Sequence, residues 1–452
     1  MHARIPLTRL VATRGGVPGY AAAVKAFLLL VLGTAVLAAR EPAVLPDDPH
    51  FAPYRLDPAP QPGPLLLEKG DLLAICGDSI TEQKRYSLIM EAYLTACMPE
   101  LGVTCRQFGW SGEKARGFYQ RMERDVLRFE PDVATTCYGM NDFRYVPWDP
   151  AIAAEYRKFQ TAVVHTFKQA GCEVLLGSPG IIDSVPPWVK GASGTQLELN
   201  LALSRFRNLD IQLAATCRAR FADVYRPMLV ADWQAKRAHG PEFKVAGKDG
   251  VHPGWAGHGV MAYAFLRGLG LDGDLGGVTL KDGTATARGG HQVRSCEDGA
   301  ITLVSTRLPF SAGPGDPGND DALRAGLALV PFDAELNRFI LRVEDPGAAR
   351  YAVTWGKERR EYEADALQQG VNLAADFVEH PLLAPFRKVW DAAARKQAYE
   401  TRQMKELMHG PEGAADLEAT VALTEKVHER LAGELAAALQ PAEHRIVVEA
   451  LP

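Results

Sequence analysis

Basic residues are in short supply in this chain. Lys and Arg total 50 against 55 Asp and Glu, a net charge of −5 over 452 residues. No basic stripe interleaves with aromatics, which excludes the electrostatic footprint of a nucleic-acid binder. Cysteine is scarce too: seven, at 76, 97, 105, 137, 172, 217 and 296, with no C-x-x-C. That spacing suits no thiolate zinc site, and a chain of this length does not need disulfides to hold a core. Cys76, Cys137 and Cys172 lie in apolar, strand-like runs and read as small buried hydrophobes. Cys97 and Cys105 are the one pair close enough in sequence to test for a bridge. The apolar stretch 26–39 is too short for a comfortable membrane span. There is no G-x-S-x-G, so the nucleophile elbow of α/β-hydrolases is absent.

What is present begins with that N-terminal stretch. Arg4, Arg9, Arg14 and Lys25 precede "AFLLLVLGTAVLAA", and small residues follow. Basic, apolar, small is the order of a secretory signal peptide, expected over 1–39. An uncleaved anchor is the alternative. Either way the rest of the chain is expected outside the cytoplasm, secreted or periplasmic, without a stable membrane span once the leader is removed. Residues 40–70 hold prolines at 42, 46, 49, 53, 58, 60, 62 and 64 and read as an extended arm.

From 71 to about 272 short apolar runs (72–76, 103–108, 132–138, 173–178, and "FADVY" at 221–225) alternate with helical stretches (86–97, 114–129, 150–170, 197–220, 257–270). That alternation predicts a parallel sheet covered by helices on both faces, a three-layer α/β/α fold. Residues 275–372 are β-rich and broken by Gly and Asp, which predicts a small accessory module packed on the first domain. Residues 383–440 carry apolar residues at helical spacing on both sides of "HGPEG", which predicts a helical hairpin tail burying Trp390 and Leu431.

Four short stretches each fall where a predicted strand ends or where a helix is about to begin. In an open α/β sheet such positions converge on one edge. "GDSI" places Asp78 and Ser79 there. As N-cap residues they need no further role, but a hydroxyl beside a base becomes a nucleophile. "FGWSGE" offers Gly112, whose N–H no side chain obstructs. "YGMND" offers Asn141, whose amide can meet a developing oxyanion, with Asp142 beside it. "KDGVH" sets Asp249 three residues before His252, so one turn delivers a base and the acid that orients it. Each stretch also has a plain reading as a turn, and Asp249, His252 and His258 could instead hold a metal.

Taken in order, "GDSI", "WSGE", "GMND" and "DGVH" resemble the blocks of the SGNH, or GDSL lipase/esterase, hydrolases over about 71–270. The resemblance implies a flavodoxin-like sheet and a cofactor-independent serine esterase working through an acyl-enzyme. It assigns Ser79, Asp249 and His252 as the triad. It assigns the N–H groups of Ser79 and Gly112 and the amide of Asn141 as the oxyanion hole, with Asp78 and Asp142 in support. The expected substrate is a small-molecule or glycan ester, with an acetyl group on a carbohydrate foremost. The reasons are export, the accessory module and the absence of a long apolar lid. A lipid esterase, thioesterase or lysophospholipase is the enzymatic alternative. A non-catalytic carbohydrate-binding protein of the same fold is the other. The loop 184–196, rich in Pro and Gly and carrying Trp188, is expected to wall the pocket.

Overall fold

A computed structural model describes residues 45–452. The leader expected over 1–39 and the first residues of the proline-rich arm lie outside the described residues. The rest of the arm packs on the first domain. Phe51 and Tyr54 are buried, Phe51 meets Trp233 at 5.3 Å between ring centroids, and the Leu66 N–H donates to the Leu269 carbonyl.

Five strands, β1 (Leu72–Gly77), β2 (Thr104–Gln107), β3 (Val133–Cys137), β4 (Glu173–Gly177) and β5 (Arg220–Ala222), form a parallel sheet in the order β2-β1-β3-β4-β5. This is the flavodoxin-like order. Apolar runs such as "LLAIC" form strands here because helices cover both faces and leave no side of the sheet to water. Between the strands run α1 (Ser79–Glu82), α2 (Tyr86–Cys97), α3 (Ala115–Asp125), α4 (Pro150–Gln169), α5 (Gln196–Cys217), α6 (Tyr225–His239) and α7 (Trp255–Gly268). Helices α3, α4 and α5 pack side by side, and α2 packs on α7. Tyr86 and Phe265 stack at 5.3 Å where α2 meets α7.

Local chemistry explains several boundaries. Asp149 accepts from the first-turn N–H groups of α4, with Pro150 at the first helical position. Thr195 and Glu198 form a capping box at the start of α5. Helix α6 was not expected. The strand read at 221–225 ends at Ala222, and Pro227 sits inside the first turn of α6, where its missing N–H costs nothing.

The register fixes the site. Gly77 of β1 lies opposite Cys137 of β3, which lies opposite Gly177 of β4. Three strands therefore end at one level, and the segments after them share one edge. Gly77 also allows a close approach: a Cβ there would fall 2.0 Å from Thr81 Oγ1.

Beyond 272 the chain builds two further sheets. The first has the order β13-β10-β6-β7, from β6 (Asp274–Lys281), β7 (Thr284–Arg288), β10 (Arg338–Glu344) and β13 (Val371–Asn372). The second has the order β12-β11-β14-β9-β8, from β8 (His291–Glu297), β9 (Ala300–Ser305), β11 (Arg350–Trp355), β12 (Glu358–Glu363) and β14 (Ala442–Leu451). The Tyr93 hydroxyl of α2 donates to the Leu336 carbonyl at 2.6 Å, and the Leu308 N–H donates to the Ala96 carbonyl at 2.9 Å. The chain does not stop at the helices. After Leu417–Ala438 it returns as β14, between β11 and β9, so the last residues complete a sheet begun at His291.

The expected first hairpin helix, 383–408, is an α-helix over Leu383–Arg402 that widens into a π-helix over Gln403–Met408. Trp390 and Leu431 are half-buried rather than buried. Phe386, Val389, Ala393 and Leu435 take the deeper positions, while Trp390 meets Trp255 of α7 at 5.6 Å. The hairpin covers the open edge of β2. Lys396 Nζ donates to the Cys105 carbonyl at 2.8 Å, and the Gln107 N–H donates to Glu400 at 3.0 Å. Lys396 is itself buried between Glu91 (2.8 Å) and Glu400 (2.5 Å). Paired charges thus close an edge that would otherwise offer itself to another strand. All seven cysteines are free, Cys97 and Cys105 included.

Candidate active site

The four stretches meet at the carboxyl edge of the parallel sheet. Ser79 opens α1 directly after β1. Its Oγ lies 2.8 Å from His252 Nε2. On the far side of the ring, His252 Nδ1 lies 2.7 Å from Asp249 Oδ2. The other carboxylate oxygen, Oδ1, accepts from the N–H groups of Val251 (2.9 Å) and His252 (2.8 Å). Partial burial pushes the Asp249 carboxyl upward. Those two N–H groups and the imidazole outweigh burial and hold it below the usual aspartate range. An ionised Asp249 fixes the ring proton on Nδ1 and leaves Nε2 as an acceptor facing Ser79.

Asp78 answers to both readings of its stretch. It is the N-cap of α1, accepting from the Ile80 N–H at 3.0 Å. Its second oxygen accepts from Asn141 Nδ2 at 3.3 Å. The same nitrogen reaches the Glu113 carbonyl at 3.2 Å, so Asp78 and the "WSGE" turn hold the Asn141 amide in place. Burial raises the Asp78 carboxyl to about 7, with the Ile80 N–H opposing and the nearby Asp142 and Glu113 adding to it.

Gly112 sits in a turn closed by the Glu113 N–H donating to the Trp110 carbonyl at 3.1 Å. Its φ of +74° lies in the left-handed region, and a Cβ would meet nothing within 4 Å. Backbone conformation, rather than crowding, is what calls for glycine. Asp142 joins two of the stretches, accepting from Gly139 N–H and from Ala115 N–H at the start of α3, both at 3.0 Å. Burial raises its carboxyl to about 7 against the pull of those N–H groups.

His258 stands apart. Its Nδ1 receives the Tyr86 N–H at 3.2 Å and its Nε2 lies 2.7 Å from Gln83 Oε1. Both ring nitrogens are occupied in the interior, and burial keeps its pKa well below the ordinary histidine value. It is not a neighbour that could complete a metal site with Asp249 and His252.

Sequence reasoning did not single out Glu113. It is buried and forms a bidentate pair with Arg121 at 2.7 Å for both oxygens, and the Tyr138 hydroxyl donates to it at 3.0 Å. The signal was faint: one acid after the glycine of "WSGE". Trp188 is 49% exposed, its ring roughly parallel to that of His252 (24°) at 6.2 Å.

Residues 75–260 match the model of the GDSL-like Lipase/Acylhydrolase family. This domain is a GDSL-type serine ester hydrolase. Over 226 residues the chain is 26% identical to an acetylxylan esterase of Geobacillus stearothermophilus, a match covering 46% of this chain and 98% of that protein. The crystal structure of an acetylxylan esterase from the same organism is 22% identical, with a TM-score of 0.37, over 46% of this chain and 97% of that one. A gut microbial diltiazem-metabolizing enzyme is 19% identical with a TM-score of 0.67. That likeness covers 86% of this chain and all of the other, so the shared fold extends well past the hydrolase domain. Among the described residues no helix is long and apolar enough to cross a membrane.

Proposed function

We infer that this protein removes small acyl groups, acetyl foremost, from a carbohydrate, and that it acts outside the cytoplasm. Ser79 is the nucleophile. As its Oγ attacks the ester carbonyl, the hydroxyl proton passes to His252 Nε2, and Asp249 stabilises the imidazolium that forms. Collapse of the tetrahedral intermediate expels the sugar hydroxyl, which takes the proton back from His252. Water then attacks the acyl-enzyme through the same base, and acetate leaves.

The oxyanion sits against the N–H groups of Ser79 and Gly112 and the Asn141 amide. Neither N–H has a protein partner among the described residues, so both are available to an incoming oxygen. Asn141 holds its present partners at the long end of the hydrogen-bond range. The amide is thereby aimed, and one hydrogen can turn to the oxyanion as charge develops.

The observation that carries the substrate reading is Trp188. A half-exposed indole lies beside the imidazole of a triad whose His252 and Asp249 side chains are themselves 27% and 41% exposed. An open site walled by a flat aromatic suits a sugar ring, which stacks its C–H face on indole while its hydroxyls stay in water. A long acyl chain needs an enclosed apolar groove instead. The acetylxylan esterase similarity supports the same class, and the basic-apolar-small leader supports export.

The test is a panel of aryl esters from acetyl to octanoyl, run beside acetylated xylo-oligosaccharides. Fast cleavage of acetyl esters and release of acetate from the oligosaccharide are expected. Rates that climb with acyl length to eight carbons would replace the carbohydrate reading with a lipid esterase.

A further inference from the structure

The turn carrying Gly112 is gripped from outside the hydrolase domain. Glu82, the last residue of α1, accepts from both the N–H and the hydroxyl of Ser111, each at 2.5 Å. Its other oxygen accepts from Lys405 Nζ at 2.7 Å. Lys405 belongs to the π-helical segment Gln403–Met408, more than three hundred positions along the chain. The same ammonium lies 5.1 Å from the centre of the Trp110 ring. His409 meets the edge of that ring at 4.9 Å and is anchored to Asp125 at 2.8 Å. Of the two residues before Gly112, Trp110 therefore meets the C-terminal segment directly, and Ser111 is linked to it through Glu82. The third neighbour, Glu113, is held by Arg121 from within the domain.

We propose that Lys405 and Glu82 are positioning residues for ester hydrolysis: Lys405, reaching in from the C-terminal helices, locks the Ser111 backbone through Glu82 and so sets the Gly112 N–H against the oxyanion. This rests on the catalytic reading of Ser79 and Gly112 given above.

The physical argument is one of preorganisation. A short turn containing a left-handed glycine is flexible by itself. An oxyanion donor is effective only if it need not be reoriented when charge appears. Fixing the peptide just before Gly112 through a charged carboxylate removes that freedom with strong, directional bonds. Widening of the helix at Gln403–Met408 shifts the phase of its side chains, a feature frequent at functional sites. The C-terminal half then belongs to the catalytic apparatus, although it contributes no reacting atom.

The test uses the full-length protein and an aryl acetate. Lys405→Met and Glu82→Gln should each lower kcat by roughly ten- to a hundredfold, with KM within about twofold, as expected for a donor displaced by less than an ångström. Lys405→Arg should restore most of the loss, because it returns the cation. The double variant should be no worse than the poorer single one, since both cut the same link. Arg402→Met, one turn away and paired with the exposed Glu406, should keep full activity and thermal midpoint. Should Lys405→Met fail to fold, Glu82→Gln, which preserves size and an acceptor oxygen, decides. A folded Lys405→Met with kcat within about twofold of the parent, or an equal loss in Lys405→Arg, overturns the proposal. Ser79→Ala runs in parallel. If it is dead while Lys405→Met is fully active, the positioning idea alone fails. If Ser79→Ala still turns over, the catalytic reading beneath it fails.

Discussion

Ser79 Oγ and His252 Nε2 stand 2.8 Å apart although 173 positions separate them in the chain. The parallel sheet makes this possible. Ser79 follows the end of β1, and His252 precedes α7, whose Phe265 packs against Gly177 at the end of β4. The same packing that buries α7 therefore sets the height of the imidazole over the serine. Asp249 completes the line from the same turn. Its carboxylate is bound twice by backbone N–H groups before it meets the ring, so the orientation of His252 is fixed by local geometry rather than by a distant element.

Ser79→Ala should abolish turnover and labelling by a serine-reactive phosphonate, with the fold retained. Asp249→Asn should keep the backbone contacts to one oxygen yet misplace the ring proton. A loss of about 10⁴ in kcat is expected from that change of tautomer. Steady-state rates with circular dichroism on the same samples check both. A labelled serine persisting in Ser79→Ala would move the nucleophile elsewhere.

On the proposed oxyanion role, Asn141→Ala removes a donor aimed at charge that exists only in the transition state. A fall in kcat of about 10²–10³ is expected, with KM little changed. Asp78 would also lose its Asn141 partner, so the thermal midpoint should drop slightly. An effect confined to KM would make Asn141 a substrate-binding residue instead.

Much of this was legible in the sequence because it depends on local chemistry. Asp78, Ser79, Gly112, Asn141 and Asp142 sit where an apolar run gives way to turn residues, and Asp249 and His252 sit in the turn just before α7. A parallel sheet brings all such places to one edge. Helix α6 was hidden by Pro227, which breaks a helix in its interior but not in its first turn. Strand β14 was hidden for another reason. "AEHRIVVEAL" alternates only loosely, and it forms a central strand because β11 and β9, far away in the chain, leave a gap for it. The Lys405–Glu82–Ser111 link could not be read at all. Nothing local in "SITEQ" or "QMKEL" says that the two meet across a tertiary interface.

Trp188→Ala should separate the polymer from the model ester. On the proposed reading the indole stacks on the sugar and not on the reacting carbonyl, so kcat/KM on acetylated oligosaccharide should fall by about tenfold, the worth of one aromatic stacking contact. Cleavage of an aryl acetate should change by less than about twofold. Isothermal titration with the unacetylated oligosaccharide would show the same loss as weaker binding. Equal losses on both substrates would mean that Trp188 supports the His252 ring and does not select the substrate.

The β-rich half should make the protein sensitive to mild acid. His291 Nδ1 lies 2.7 Å from Ser305 Oγ, and that oxygen lies 2.8 Å from His444 Nε2. His444 Nδ1 in turn receives the Trp355 indole N–H at 3.1 Å. His380 stacks on the Trp355 ring, with centroids 4.4 Å apart. Burial lowers His291 and His380 to about 4 and His444 to about 3. In the unfolded chain each would take a proton near 6.5. Below that pH the unfolded state binds more protons than the folded one, so stability falls as pH falls. The loss runs from about 6.5 down to the folded values, at up to roughly 1.4 kcal/mol per pH unit for each histidine. Asp78 and Asp142, raised to about 7 by burial, act in the opposite sense over much of the same window. The parent's total slope is therefore a difference, and a variant must isolate the histidines. His291→Gln keeps an amide that can hydrogen-bond to Ser305 but cannot titrate. The urea midpoint of the parent, compared with that of His291→Gln between pH 7 and 4, should fall more steeply in the parent. Parallel curves would show that the buried histidines take up protons without opening the fold.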